Sequence, residues 1–151
     1  MGNLGCGCPG SMARVIERTE TTTTNNVAVQ SELRQWPVQL HLVPPTAPYF
    51  NNADILVCAD CVAFAMGNMH QELLKGKALA IACPKLDETD SYVEKLAQIF
   101  TVNNTPNVTV AIMEVPCCRG LDVMVKEAIK KSGRDIPLET IIIGIDGNRR
   151  N

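Results

Sequence analysis

The chain has 151 residues, and seven are cysteines: Cys6, Cys8, Cys58, Cys61, Cys83, Cys117 and Cys118. A thiolate can act as a nucleophile, exchange disulfides or hold a soft metal, and the spacing bears on which of these it serves. Cys58-Ala59-Asp60-Cys61 has the Cys-x-x-Cys spacing of redox dithiols, but thioredoxin-like pairs open their helix directly and one match is weak. Cys117 and Cys118 are adjacent, which is poor geometry for pairing with each other. Structural zinc favours two paired Cys knuckles, and only one such pair is present. Single cysteines dispersed along a chain suit an iron–sulfur cluster, for which four thiolates suffice, although the spacing is not that of a bacterial ferredoxin run.

Thiols this far apart meet only if the fold gathers them. Residues 38–43 (VQLHLV) alternate with period two and stop at Pro44-Pro45, which predicts a strand. Four short, nearly continuous apolar runs follow: 54–57 (DILV), Ala78–Ala82 (ALAIA), 108–115 (VTVAIMEV) and 140–145 (TIIIGI). Such runs belong to strands covered on both faces. Helices are predicted over 62–75 before Gly76, over 89–100 with Thr89 as cap, and over 120–131 ending at Gly133. The alternation predicts an α/β fold. Its sheet is open, mostly parallel and of about five strands, with helices on both faces in a Rossmann-like or flavodoxin-like three-layer arrangement. The ten residues between Val43 and Asp54 are short for a crossover. Residues 1–30 read as an irregular Cys/Gly-rich arm and a Thr-rich linker (TETTTTNN at 19–26), and 31–151 as a single α/β domain.

On this reading Cys58 and Cys61 follow one strand, Cys83 follows the next, and Cys117-Cys118 follow a third. Loops leaving the carboxyl ends of parallel strands converge on one edge, where ligands bind. Cys61 and Cys117-Cys118 also precede predicted helix N-termini, whose free N–H groups favour thiolate. Cys61, Cys83, Cys117 and Cys118 are therefore the expected site, and Cys58 reads as a small buried apolar residue. Asp60, Lys85, Asp87 and Glu114 fall near the same strand ends and are candidates to line the crevice, with Asp60 and Lys85 candidates to pair.

Fourteen basic and sixteen acidic residues give a formal charge of −2, with no block of like charge, so the footprint of a nucleic-acid binder is missing. No apolar stretch approaches the roughly 20 residues of a membrane span, and the first residues lack the apolar core of a signal peptide. A cytoplasmic location with reduced thiols is the expectation. His41 and His70 read as satisfied, partly buried side chains. Pro44-Pro45 after the first predicted strand provide no N–H groups for a phosphate, which disfavours a nucleotide or flavin.

Seven segments occur together in order: GCGCPGS (5–11), LRQWPVQLHLVPP (33–45), APYF (47–50), ADC (59–61), KGKALAIACPKLD (75–87), MEVPCCRGL (113–121) and IGIDG (143–147). Together they resemble the C-terminal domain of bacterial and archaeal ferredoxin-family, 4Fe–4S dicluster-type iron–sulfur-binding proteins. The two-cluster ferredoxin module that precedes this domain in longer members has no counterpart here. The resemblance implies a [4Fe–4S] cluster, a role in electron transfer or redox sensing rather than catalysis, and a redox partner protein. The family's cysteines match Cys6, Cys8, Cys61, Cys83, Cys117 and Cys118, with Cys58 outside the motif. Arg119 stands where relatives often have a small residue, which places a cation beside the thiol pair. Cys6-Gly7-Cys8 is open to three readings: a lid that joins the crevice, ligands for a second chain in a homodimer, or exchange with Cys117-Cys118 during redox change. Two other readings stay open: a thiol redox enzyme in which Cys117 or Cys118 reacts and Cys61 or Cys83 resolves, and a zinc-stabilised interaction module.

Overall fold

A run such as ILVCA or VTVAIM has no polar face to turn to water, so it forms a stable strand only where something covers both sides. The computed structural model, which describes residues 16–18 and 28–151, satisfies this with a four-stranded sheet. The strands are β1 (Ile55–Ala59), β2 (Ala78–Ala82), β3 (Val108–Met113) and β4 (Leu138–Ile143), in the order β2-β1-β3-β4 and all parallel. Every residue of β1 and β3 is buried, whereas β4 at the edge is only partly so. Cys6 and Cys8, and most of the arm expected over 1–30, lie outside the described residues.

The predicted strand at 38–43 is reduced to a single parallel bridge between Gln39 and Ile81, so the sheet has four strands rather than about five. The amides of Leu42 and Val43 both turn back to the Gln39 carbonyl at 2.9 Å. Leu40 and Val43 are therefore buried three residues apart while Leu42 is exposed, a turn's spacing and not a strand's. The outer edge of β2 is nevertheless closed. Leu40 N donates to Ile81 O and Ile81 N to Val38 O, both at 2.8 Å. The Gln35 carboxamide then acts as one more rung, donating to Leu79 O at 2.7 Å and accepting from Leu79 N at 2.6 Å.

Three connections complete the layers. Between β1 and β2 the predicted helix 62–75 is interrupted: α1 is only Val62–Ala65, Met66 is extended, and a π-helical turn follows at His70–Leu74. Between β2 and β3 lies α2 (Tyr92–Val102), and between β3 and β4 lies α3 (Arg119–Ser132), which ends at the left-handed Gly133. The chain leaves β1 outward to β2, then returns across β1 to β3. Right-handed crossovers in opposite directions place α1 on one face and the mutually packed α2 and α3 on the other. The turn beyond β4 packs closely against the end of α1. Gly147 (φ +91°) approaches the Ala65 carbonyl so closely that a Cβ there would collide with it. Gly147→Ala is expected to destabilise by about 2–4 kcal/mol, combining backbone strain with the clash. Gly67→Ala, where a Cβ meets nothing within 4 Å, should be nearly neutral. Urea unfolding of the two variants separates them.

A candidate thiol site at the carboxyl edge

The reversal of direction at β1 leaves a crevice beyond the carboxyl ends of β1 and β3, the usual ligand position in an open α/β sheet. Each thiol reaches it on a different local structure. Cys61 sits just before α1, and its carbonyl accepts from the amides of Phe64 and Ala65 at 3.2 and 3.1 Å. The preceding Asp60 N is tied to Ala82 O at 3.2 Å, which holds this loop against the end of β2. Cys83 is the first residue after β2. Cys117 and Cys118 lie in a 3-10 turn, Pro116–Cys118, that leads directly into α3.

These four cysteines line one cavity of about 380 Å³, together with Asp60, Lys85 and an apolar wall of Leu86, Met113, Val115 and Ile145. Cys61 is exposed, Cys83 and Cys117 are half-buried, and Cys118 is buried. The sulfurs are close enough to affect one another's ionisation. Burial pushes the Cys118 thiol up to about 11, against a backbone hydrogen bond from Met113, and negative charge on Cys117, Cys61 or Cys83 pushes it further up. Cys61 is also raised, by burial first, then by the charge and hydrogen bond of Asp60, then by Cys83 and Cys117. The expectation that helix N-termini would lower these pKa values is thus reversed at Cys61 and Cys118, because desolvation and neighbouring negative groups prevail. Among the described residues, no three His, Cys, Asp or Glu side chains are gathered as ligands of one metal ion.

Cys58 does not follow β1 but stands inside it, fully buried, opposite Ile81 and Ala111. Burial and the nearby Asp60 raise its thiol to about 12. Arg119, expected beside the thiol pair, instead lines a neighbouring cavity of about 470 Å³ with Asp122, Thr140 and Arg150. The cation that borders the thiols is Lys85, and it forms no ion pair with Asp60 among the described residues. Glu114 does not line the thiol cavity. Its carboxylate accepts from Ile145 N at 3.1 Å and Arg150 Nε at 3.0 Å, contacts that hold it below the usual carboxylate range and fix the turn carrying Ile145. Asp87 also stays outside the cavity and binds the Cys83 amide. Sequence reasoning missed these two supporting roles. The available signal for Asp87 was an acidic residue four positions after a strand-end cysteine. His70 is satisfied at Nδ1 by the Glu32 amide at 3.0 Å.

A family profile described as a Rossmann-like domain matches residues 47–150. An uncharacterized protein of Archaeoglobus fulgidus is 31% identical over 116 residues, covering 77% of this chain and 81% of that one. No solved structure matches the chain.

The buried thiols set an alkaline limit. Cys58 ionises near 9.0 when unfolded but near 12 when folded, so its contribution is full below pH 9 and is lost as the pH rises towards 12. Cys118 acts in the same direction between 9.0 and about 11. Stability measured by urea titration is expected to fall above pH 9. Cys58→Ala should lower stability by about 1 kcal/mol at pH 8 through its small cavity, yet show a shallower decline from pH 9 to 11.

Proposed function

This chain belongs to the Rossmann-like domain family, and from that premise we propose that its thiol crevice holds an iron–sulfur cluster for one-electron transfer or redox sensing. The observation that carries the reading is the single cavity lined by Cys61, Cys83, Cys117 and Cys118, drawn from three strand ends. Four thiolates are the complement of a [4Fe–4S] cubane, which supplies a reversible one-electron change when bound. Cys6 and Cys8 are further ligand candidates on the strength of the sequence resemblance, and Cys58 lies outside the set. Four sulfurs on one zinc would stand about 3.8 Å apart, as tetrahedral bonds of about 2.3 Å require. Thiolates on the outer corners of a cubane stand farther apart. Thiols dispersed over three strand ends, without the two paired knuckles of a structural zinc site, suit the cluster.

The remaining residues serve this role in definite ways. Leu86, Val115 and Ile145 form an apolar side of the cavity, and the low polarity there tunes the potential. Leu86, 81% exposed at the cavity, offers an apolar contact on which a redox partner protein can seat. A thiol-enzyme role with Cys118 as the nucleophile fits less well, since a nucleophilic cysteine needs a depressed pKa and burial drives Cys118 the other way. Among the described residues no helix is long and apolar enough to cross a membrane. Unpaired thiols among the described residues suit a reducing compartment, and the cytoplasm is the location we propose.

Anaerobic purification or reconstitution, followed by absorption spectroscopy and iron and sulfide analysis, tests the proposal. The expected result is a brown protein carrying iron and acid-labile sulfide. Cys83→Ala should lose most of the chromophore and Cys58→Ala should keep it. A chromophore that survives Cys83→Ala unchanged would place any cluster elsewhere. A colourless protein with one bound zinc, or a metal-free one with reactive thiols, would replace this reading with the zinc or thiol-enzyme alternative.

A further inference from the structure

The segment between Cys83 and Asp87 is closed twice by the same residue. The Asp87 amide donates to the Cys83 carbonyl at 2.9 Å, and Asp87 Oδ2 accepts from the Cys83 amide at 2.9 Å. The same Oδ2 accepts from the Tyr92 hydroxyl at 2.7 Å. Tyr92 is the first residue of α2 and is 1% exposed, so the carboxylate is fastened to an element that cannot shift without disturbing the core. A second restraint acts next door. Pro84 lies under Gly120, where a Cβ would come within 3.3 Å of the proline ring, and Gly120 is in the first turn of α3, the helix that follows Cys117-Cys118. Lys85 and Leu86, between the two restraints, form part of the cavity lining.

We infer that Asp87 is the positioning residue of the thiol site, latching Cys83 to Tyr92 so that its sulfur is held at the crevice alongside Cys61, Cys117 and Cys118. The inference deepens the cluster reading and rests on it for one consequence only. The geometric part, the orientation of Cys83, holds for any chemistry the thiols perform. The electrostatic part concerns the loaded site: a carboxylate one hydrogen bond from a ligand's amide opposes the added negative charge of reduction. Both hydrogen bonds end on one oxygen, so Asn can accept both without the charge. Asp87→Asn and Asp87→Ala therefore separate charge from geometry.

Thiol labelling of the metal-free chain under native conditions, read cysteine by cysteine by mass spectrometry, tests the latch without reference to any cluster. Asp87→Ala should raise the labelling rate of Cys83 about tenfold relative to Cys61 as both loop closures are weakened or lost. Tyr92→Phe should move Cys83 in the same direction by a smaller factor, and Asp87→Asn, which keeps the hydrogen bonds and loses only the charge, should raise it far less than Asp87→Ala. If Cys83 and Cys61 rise together, Asp87 is a general stabiliser and the inference is overturned. It is equally overturned if Cys83 does not respond to either Asp87→Ala or Tyr92→Phe; should the alanine variant fail to fold, the phenylalanine variant decides. In reconstituted protein, Asp87→Asn should shift the midpoint potential upward with its absorption spectrum retained, and an unshifted potential would refute the electrostatic role. Absence of any cluster in the wild type would sink the proposed function while leaving the labelling result to judge the latch.

Discussion

The carboxyl edge depends on β1 being hydrogen-bonded on both sides, to β2 along its whole length and to β3 from Ile55 to Cys58. A strand so enclosed exposes no backbone groups to recruit a loop, so the segments leaving β1, β2 and β3 must diverge over it and leave a gap. Burial follows from the same pairing. With helices on both faces, β1 has no room for a polar side chain, and Cys58 is accommodated there only because a protonated thiol behaves as a small apolar group. Three residues farther on, where the pairing has ended, Cys61 is exposed. The same residue type is thus packing at one position and available chemistry at another.

Much of the architecture was legible because parallel α/β sheets write themselves in short apolar runs. Ala78–Ala82 falls where expected, β3 and β4 within two residues at each end, and Gly133 ends α3 as its type suggests. The misreadings fall at two segments whose hydrophobic spacing does not set the backbone. VQLHLV alternates like a strand, but Pro44-Pro45 and the turn back to Gln39 bend it so that Leu40 and Val43, not Leu40 and Leu42, face inward. The segment after Cys61 has a helical spacing of buried residues at Val62, Met66, Met69 and Leu73. It is nevertheless broken at the extended Met66, which separates Val62–Ala65 from the π-helical turn His70–Leu74, and Gly147 from some eighty residues away packs against that break.

The candidate site was legible in part, and for a reason that generalises. Placement after a parallel strand is a statement about topology, so the positions of Cys61, Cys83, Cys117 and Cys118 could be projected onto one edge without any contact being known. Their electrostatics could not. Whether a helix end or a desolvating wall governs a thiol depends on which side chains face it, and here Leu86, Val115 and Ile145 arrive from three different loops. Arg119 shows the same limit: adjacent to Cys118 in sequence, it turns into the next cavity.

The two margins of the sheet are finished in the same unusual way. Beside β2, the Gln35 carboxamide occupies the Leu79 amide and carbonyl. Beside β4, the chain doubles back through the bridge of Ile143 with Arg149. There the Asn151 carboxamide accepts from Ile142 N at 3.1 Å and donates to Thr140 O at 2.7 Å. An amide side chain thus stands in for the neighbouring strand at each border. A bare border would be a template on which a second copy could grow the sheet, the usual route to fibrous association. With both templates occupied, growth strand by strand is discouraged in either direction. Among the described residues, the sheet thus offers no bare border, and its helical faces and thiol crevice are what it presents outward.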